Sequence, residues 1–580
     1  MKKTFILLLI LFCLPLATAQ AYHMTLLTVS SDNNTRTGGT ADVYLEMERG
    51  TGRIFIDSFP LSKIDTQIVT RFSNEVACDF LQRDCSKYDY FYTIRASSSI
   101  VGGPSAGAAM TVLTVAALED LNLNESVTMT GTINSGGLIG SVGGTAEKIQ
   151  AAQDAGLKKV LIPKWEFFEN ETNSSINISS YTIEIIGIST IEEALFHYTG
   201  KNYYMEDREI EVPKEYSDTM KYIASNLCNR TATLNASLPA SLKQKNISLY
   251  NTTLGYINNS RNALEKQDYY STASFCFSAN LKLRTLEYQD KTHEELFDIK
   301  KQIQKAINIT NVRLEKSFQL RTIGDLETFM VVKERLIEAQ DFLNNLNETN
   351  LSYQDLAYAQ ERYYSAASWS EFYGVGGKEF ILDEERLREG CVKKLSEAEE
   401  RTNYVLFYFP SYFLEDTEKE LDHAYKDYSN GEYALCMFKA SKAKAEADAL
   451  MTLLAIRTED ALKQVLKEKL THIKHVILRE QDKDVFPILG YSYYEYSNNL
   501  LEEQPYTALT FTEYALEMSN LDLYFPKKKT FSWPRIEMYV YYIFAGGLII
   551  GFSIGALIKG KKKAKKNSKQ NKPQRKKKKK

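Results

Sequence analysis

The sequence predicts an α+β domain, then a mostly α-helical region, then one apolar C-terminal helix; three observations carry this. Strand-like and helix-like periodicities alternate from Tyr22 to Tyr198. From Glu209 to Phe525 Gly and Pro are sparse, charges are mixed and apolar residues recur at three and four. From Met538 to Ile558 there is no charge at all. With 580 residues, 44% of them apolar, the chain has room for several cores. Its net charge of −3 hides an acidic body and a tail rich in Lys and Arg.

Residues 1–21 have the parts of a secretory signal peptide: Lys2 and Lys3, the apolar run Phe5 to Leu16, and small residues at Ala19 and Ala21. The mature chain is expected to begin near Tyr22. In the first domain, placed at residues 22–200, Ala41 to Met47 and Arg53 to Ile56 flank Gly50-Thr51-Gly52 and read as a hairpin. Lys159 to Ile162 and Tyr181 to Ile186 read as further strands, Ser105 to Leu121 and Thr145 to Ala155 as helices. The helical region, 201–530, repeats a weak phrase in which an acidic or polar residue and Tyr precede small residues at helical spacing. It occurs at Asp268-Tyr269-Tyr270, at Glu432-Tyr433-Ala434 and more loosely at Gln504-Pro505-Tyr506. Stacked helical hairpins need such close-packing faces, although an irregular bundle would also use Tyr and Ala in its core.

Residues 538–558 are long enough to span about 30 Å of hydrocarbon. Lys559, Lys561, Lys562 and Lys563 follow at once and assign the tail, 559–580, to the cytoplasmic side. That tail suits anionic lipid head groups better than nucleic acid, which is not expected as a partner. About a dozen Asn-x-Ser/Thr sequons, Asn170, Asn173, Asn177, Asn229, Asn235, Asn246, Asn251, Asn258 and Asn347 among them, fit a translocated body. Six cysteines remain after Cys13 leaves with the signal peptide. Their order suggests Cys78 with Cys85, Cys228 with Cys276 and Cys391 with Cys436, each of the longer two stapling one helical hairpin. Six cysteines allow about fifteen connectivities, so the pairing stays open. No Cys/His cluster suggests a metal, and no cofactor is expected.

The chemistry concentrates in Gly103-Pro104-Ser105-Ala106-Gly107. A serine at the first turn of a helix, between glycines, has an accessible hydroxyl and unpaired backbone N–H groups nearby. By itself such a segment is also an ordinary helix N-cap. The second segment is Gly143-Gly144-Thr145-Ala146-Glu147-Lys148-Ile149, continuing to Ala155-Gly156-Leu157-Lys158-Lys159-Val160-Leu161-Ile162-Pro163. Together the two resemble the proteolytic domain of Lon peptidases, closely from Ser105 to Pro163 and loosely over the rest of Tyr22 to Tyr198. The resemblance implies a Ser-Lys catalytic dyad with Ser105 as nucleophile and Lys148 as general base. It implies that Thr130, in Met129-Thr130-Gly131, orients the lysine. The family often has an acidic residue where this chain has Gly102.

A lysine with an ordinary pKa near 10.4 cannot take a proton from serine at neutral pH, so Lys148 must be desolvated. Ala106, Ala109, Ile149 and Ala152 are the small apolar residues expected to do this. His472 and His475 share a helix face without a carboxylate motif and read as surface residues; no His-based triad is credible. No Gly-x-x-x-x-Gly-Lys-Ser/Thr phosphate loop occurs, and Gly376-Gly377-Lys378-Glu379 lacks both the first glycine and the hydroxyl. The expectation is an ATP-independent serine endopeptidase acting on unfolded or flexible polypeptides, similar in layout to the secreted Lon-related proteases of archaea. Lon domains commonly form rings, which implies a homo-oligomer. Two other readings remain: a catalytically silent anchored scaffold, and a peptidase that processes itself.

Overall fold

The computed structural model describes residues 21–32, 35–96, 102–167, 180–203, 207–346, 351–525, 546–548 and 550–551. Its first part is a seven-stranded mixed sheet in the order β3-β4-β2-β1-β5-β8-β9. The strands are β1 Tyr22–Asp32, β2 Thr35–Arg49, β3 Ile54–Phe59, β4 Tyr88–Ala96, β5 Val127–Met129, β8 Lys159–Pro163 and β9 Glu184–Ile188. A separate two-stranded ribbon, β6 Thr132–Ile133 with β7 Ile139–Gly140, projects after β5. Four helices complete this part: α1 Ile64–Phe80, α2 Gly107–Glu119, α3 Thr145–Asp154 and α4 Ile191–Thr199.

Helix α2, whose residues from Gly107 to Leu118 are all buried, is apolar on every face because it runs through the core. It packs with α1, α4 and the inward side chains Met24, Leu26, Val43, Leu45, Tyr92 and Ile94. Helix α3 closes a smaller core in which Ile149 and Ala152 meet Leu27, Val160, Ile162 and Ile183.

One expectation fails here. β2 and β3 do not form a hairpin; β4 lies between them, antiparallel to β2 and parallel to β3. Local alternation marks strands but not partners, and a long-range contact decides the pairing. The Asp89 carboxylate on β4 accepts the Thr51 and Arg53 N–H groups at 2.7 and 3.0 Å and the Arg53 guanidinium at 2.6 Å. These bonds turn the Gly50–Arg53 loop around β4. The expected strand at Tyr181–Ile186 begins later, at Glu184.

From Lys214 to Met518 the described chain is helical. Two trios share a pattern. In one, helix Lys214–Ser237 is joined by Cys228–Cys276 to helix Tyr269–Tyr288, with Ile247–Glu265 between them in sequence; in the other, Glu384–Val405 is joined by Cys391–Cys436 to Tyr433–Leu454, with Glu415–Ser429 between them. Each staple therefore joins two long helices that have another long helix between them, with the short helix Ala240–Lys245 also intervening in the first case, and not the two arms of a hairpin. The recurring phrase falls at the start of each third helix. The third disulfide, Cys78–Cys85, ties the end of α1 to the approach to β4.

The described residues up to Phe525 form one compact unit. Its two parts meet on the β6–β7 ribbon. Asn520 donates to the Ser135 carbonyl at 2.6 Å, His472 bonds the Gly136 carbonyl at 3.2 Å, Arg479 donates to the same carbonyl, and Arg401 donates to Thr132 Oγ1 at 3.1 Å. Leu138 and Trp165 enter an apolar cluster of the helical part with Val465, Leu466 and Ile473. His472 is thus buried at this junction, not on the surface, and burial, reinforced by Arg479, pushes its pKa down to about 3.

The expected signal peptide at 1–21 falls, apart from its last residue, outside the described residues, as does the expected cytoplasmic tail at 559–580. So does the segment at 538–558 expected to cross the membrane, apart from 546–548, 550 and 551. Among the described residues no helix is long and apolar enough to cross a membrane.

The loop closed by Cys228–Cys276 spans 48 residues and that closed by Cys78–Cys85 spans 7. Replacing both cysteines of the long loop by serine is expected to cost about 4 kcal/mol and of the short loop about 2–3 kcal/mol, from the loss of loop-closure restraint in the unfolded chain. Urea unfolding of the two double variants checks the order.

Candidate active site

Ser105 stands in the single 3₁₀ turn Pro104–Ala106 that leads directly into α2, and its residue is half-buried. Its peptide is laced to the segment after β5. Gly131 N–H donates to the Ser105 carbonyl at 2.9 Å, the Thr130 hydroxyl donates to the same oxygen at 3.3 Å, and Ala108 N–H donates to the Gly131 carbonyl at 3.1 Å. The serine therefore has a fixed backbone at the N-terminal end of a helix, where partial positive charge favours a developing oxyanion.

Lys148 lies in the first half of α3, which starts after Gly144; the φ of +69° at that glycine is a left-handed turn that side-chain-bearing residues rarely adopt. The lysine is only 2% exposed. Burial pushes its pKa down to about 7, against the attraction of Glu166 and Glu147. Its amine donates to Thr130 Oγ1 at 3.1 Å. Thr130 thus accepts from Lys148 and donates to the Ser105 carbonyl, one hydroxyl linking the lysine to the peptide of the serine. No hydrogen bond joins the Ser105 hydroxyl to the amine in this structure. Catalytic contacts of this kind commonly tighten only when substrate is bound.

All three residues singled out from the sequence are therefore brought to one place. Of the apolar neighbours expected for Lys148, Ile149 and Ala152 belong to the small core under α3, whereas Ala106 and Ala109 belong to the larger core around α2. The volume that an acidic side chain at position 102 would fill is taken by Lys63: a Cβ on Gly102 would lie 2.5 Å from Lys63 Cδ.

Sequence reasoning missed what the helical part contributes. Gly143, just before the α3 turn, donates its N–H to the Tyr404 hydroxyl at 3.0 Å in a buried contact. The Tyr408 ring packs so closely on Gly143 that a Cβ there would overlap its Cζ. The Tyr404 ring also borders Gly103, with Cε2 3.9 Å from a Cβ built there. Two tyrosines from the end of helix Glu384–Val405 and its following turn thus touch the glycines that precede both the serine and the lysine. Glu166, in the turn after β8, was also missed. These contacts join residues hundreds of positions apart, and no local pattern marks them.

Comparison with known proteins agrees with the motif resemblance. Residues 88–198 match the family described as the Lon protease (S16) C-terminal proteolytic domain. The archaeal Lon protease of Archaeoglobus fulgidus is 32% identical over 158 residues, 27% of this chain and 24% of that protein. Lon protease 2 of Bacillus subtilis is 39% identical over 95 residues, 16% of each chain. The archaeal Lon protease of Pyrococcus abyssi is 35% identical over 113 residues, 19% of this chain and 11% of that protein. The chain thus spans about a quarter or less of the length of these relatives, and its helical part lies beyond the matched family region.

The buried lysine has a measurable signature in stability. Its pKa is about 7 when folded and near 10.4 when unfolded, so the unfolded chain holds the proton more tightly. The resulting penalty is fully present below pH 7 and fades between about 7 and 10.4. It is on the order of 5 kcal/mol at about 1.4 kcal/mol per unit. Lys148→Met is therefore expected to raise the melting temperature at about pH 6 and to lose that advantage towards pH 10; equal melting at the lower pH would contradict the burial.

Proposed function

We propose that this chain is an ATP-independent serine endopeptidase that cleaves unfolded or flexible polypeptides outside the cytoplasm, anchored to the membrane by residues 538–558. The observation that carries the reading is Lys148, a buried amine with a pKa of about 7, held by Thr130 beside the Ser105 peptide. A lysine so placed is expensive as a structural residue and useful as a base.

The chemistry follows from those positions. Neutral Lys148 donates one N–H to Thr130, which leaves its lone pair to accept the Ser105 proton as Oγ attacks the scissile carbonyl. The oxyanion of the tetrahedral intermediate forms at the N-terminal end of α2. Collapse breaks the C–N bond, the ammonium of Lys148 returns its proton to the leaving amine, and an acyl group remains on Ser105. Water, deprotonated by the same lysine, then releases the acid and restores the serine.

Several features support the wider reading. Phe407, Tyr412 and Phe413 on the helical side, and Phe59, Leu61 and Ile64 before and at the start of α1, are exposed large apolar residues. Lys63 reaches from the start of α1 to the helical side, its stem at Gly102 and its amine 5.5 Å from the Phe407 ring. Such a rim suits extended apolar segments, which folded substrates do not offer. Three disulfides and the exposed sequon residues Asn229, Asn251 and Asn258 suit an oxidising, translocated compartment. The lack of a phosphate-loop motif in this sequence suits a reaction without ATP.

The test is casein hydrolysis by the purified protein without ATP. kcat/KM is expected to climb with pH as Lys148 loses its proton, levelling above about 7. Ser105→Ala and Lys148→Ala are each expected to lower it by about a thousandfold or more. Folded wild-type protein as inert as both variants would sink the reading in favour of an anchored scaffold.

A further inference from the structure

The helical part contains a second site that the peptidase reading does not use. A cavity of about 340 Å³ opens among helices Tyr269–Tyr288, Ile323–Asn344, Tyr353–Trp369, Tyr433–Leu454, Ile488–Leu500 and Pro505–Met518. Its volume falls at the lower end of the range of small-molecule pockets, about 300–1,000 Å³. None of its wall residues belongs to the Ser105 site.

Its walls are aromatic and interlocked. Tyr270 meets Trp369 and Tyr493 edge to face, both at 6.0 Å, and Phe511 packs on Tyr493 at 5.7 Å and on Tyr496 at 4.7 Å. Among these rings stand three cations, Arg335, Arg362 and Lys442, and one acid, Glu334. Two of the cations are matched. Lys442 pairs with Glu334 at 2.9 Å and Glu420 at 3.0 Å, and Arg362 pairs with Glu338 and, at 3.8 Å, with Glu334.

Arg335 is different. Its residue is 9% exposed, its guanidinium lies 4.8 Å from the Trp369 ring centre, and one terminal nitrogen donates to Ser365 Oγ at 2.8 Å. No carboxylate pairs with it among the described residues, and its Nε is buried without an acceptor. Arginine stays protonated at any physiological pH, so this is a positive charge in an aromatic enclosure, hydrogen-bonded to one neutral hydroxyl and set against a ring face, with Glu334 attracting it from a distance while pairing with Lys442 and Arg362. Such a charge is costly until an anion meets it, and a planar guanidinium fits a carboxylate with two parallel hydrogen bonds.

We propose that this cavity binds a carboxylate carried on an apolar or aromatic body. The carboxylate pairs with Arg335, and the apolar part packs between Tyr270, Trp369 and Phe511. Two sources offer this chemistry: the C-terminus of a peptide ending in an apolar residue, and a free aromatic acid.

Isothermal titration of the full-length protein bearing Ser105→Ala, which removes turnover, tests it with N-acetylphenylalanine, its neutral amide and inorganic phosphate. The acid is expected to saturate one site, with the amide and phosphate each weaker by about tenfold or more, the worth of a charged hydrogen-bonded pair and of the aromatic packing. Arg335→Gln is expected to abolish acid binding while leaving the melting temperature of the free protein unchanged or higher, because it removes an unmatched charge. If that variant fails to fold, the acid-against-amide comparison in the parent decides alone. Tighter binding of N-acetyl-Ala-Ala-Phe than of phenylacetate assigns the source to peptide termini, and the reverse order to a free acid. Equal binding of acid and amide, phosphate binding as tight as the acid, or no saturable binding of the acid overturns the proposal.

Discussion

An amine must be kept dry for a Ser-Lys site to exist, and much of this fold can be understood from that requirement. Among the described residues the Lys148 amine has one hydrogen-bond partner, Thr130, and is otherwise enclosed. Water entering around it would restore an ordinary ammonium and end the proposed use as a base. The enclosure is built on one side by α3 resting on β1 and β8 through Ile149, Ala152, Leu27 and Val160. On the other side stands the segment from Thr130 into the β6–β7 ribbon. A two-stranded ribbon is marginal by itself, so its rigidity must come from what it packs against.

The helical part supplies that support. His472, Arg479 and Asn520 hold the ribbon's tip by its carbonyls, Arg401 holds its base through Thr132, and Tyr404 and Tyr408 close over Gly143. Behind this contact runs a chain of buried charges. Arg401 pairs with Asp448 at 2.8 Å, and Lys394 at 2.6 Å and Lys444 both meet Glu517. Burial opposes the ionised form of Glu517, yet the two lysines hold its carboxyl down at about 2. Breaking one partner of such a buried group leaves an uncompensated charge, which makes its geometry costly to distort. The helical part is thereby an integral wall of the site, and the elements carrying Ser105, Thr130 and Lys148 are not expected to keep their geometry without it.

The site was legible because its requirements are local. A serine needing a helix N-terminus, glycines needing tight turns and a lysine on the next helix sit at short spacings between Gly103 and Lys148, and the cysteine order gave the three disulfides that form. What escaped was non-local. The partner of β2 depends on Asp89 reaching across to Thr51 and Arg53. Tyr404 meets Gly143 across a sequence separation of 261. His472 read as a surface residue because helical periodicity identifies a face but not a neighbouring part that covers it. The staples were assigned to hairpins because sequence separation says how much chain a bridge encloses, not how many helices that chain folds into.

The central claim, that Ser105 is activated by a buried Lys148, is tested most directly by covalent capture. The rate of Ser105 labelling by a fluorophosphonate, read as the modified peptide by mass spectrometry, should be followed against pH. The account predicts about a tenfold gain per unit at low pH, levelling near 7, and near-complete loss in Lys148→Met. A rate still climbing past about pH 9, as for an unassisted hydroxyl, or one indifferent to Lys148→Met, would contradict it.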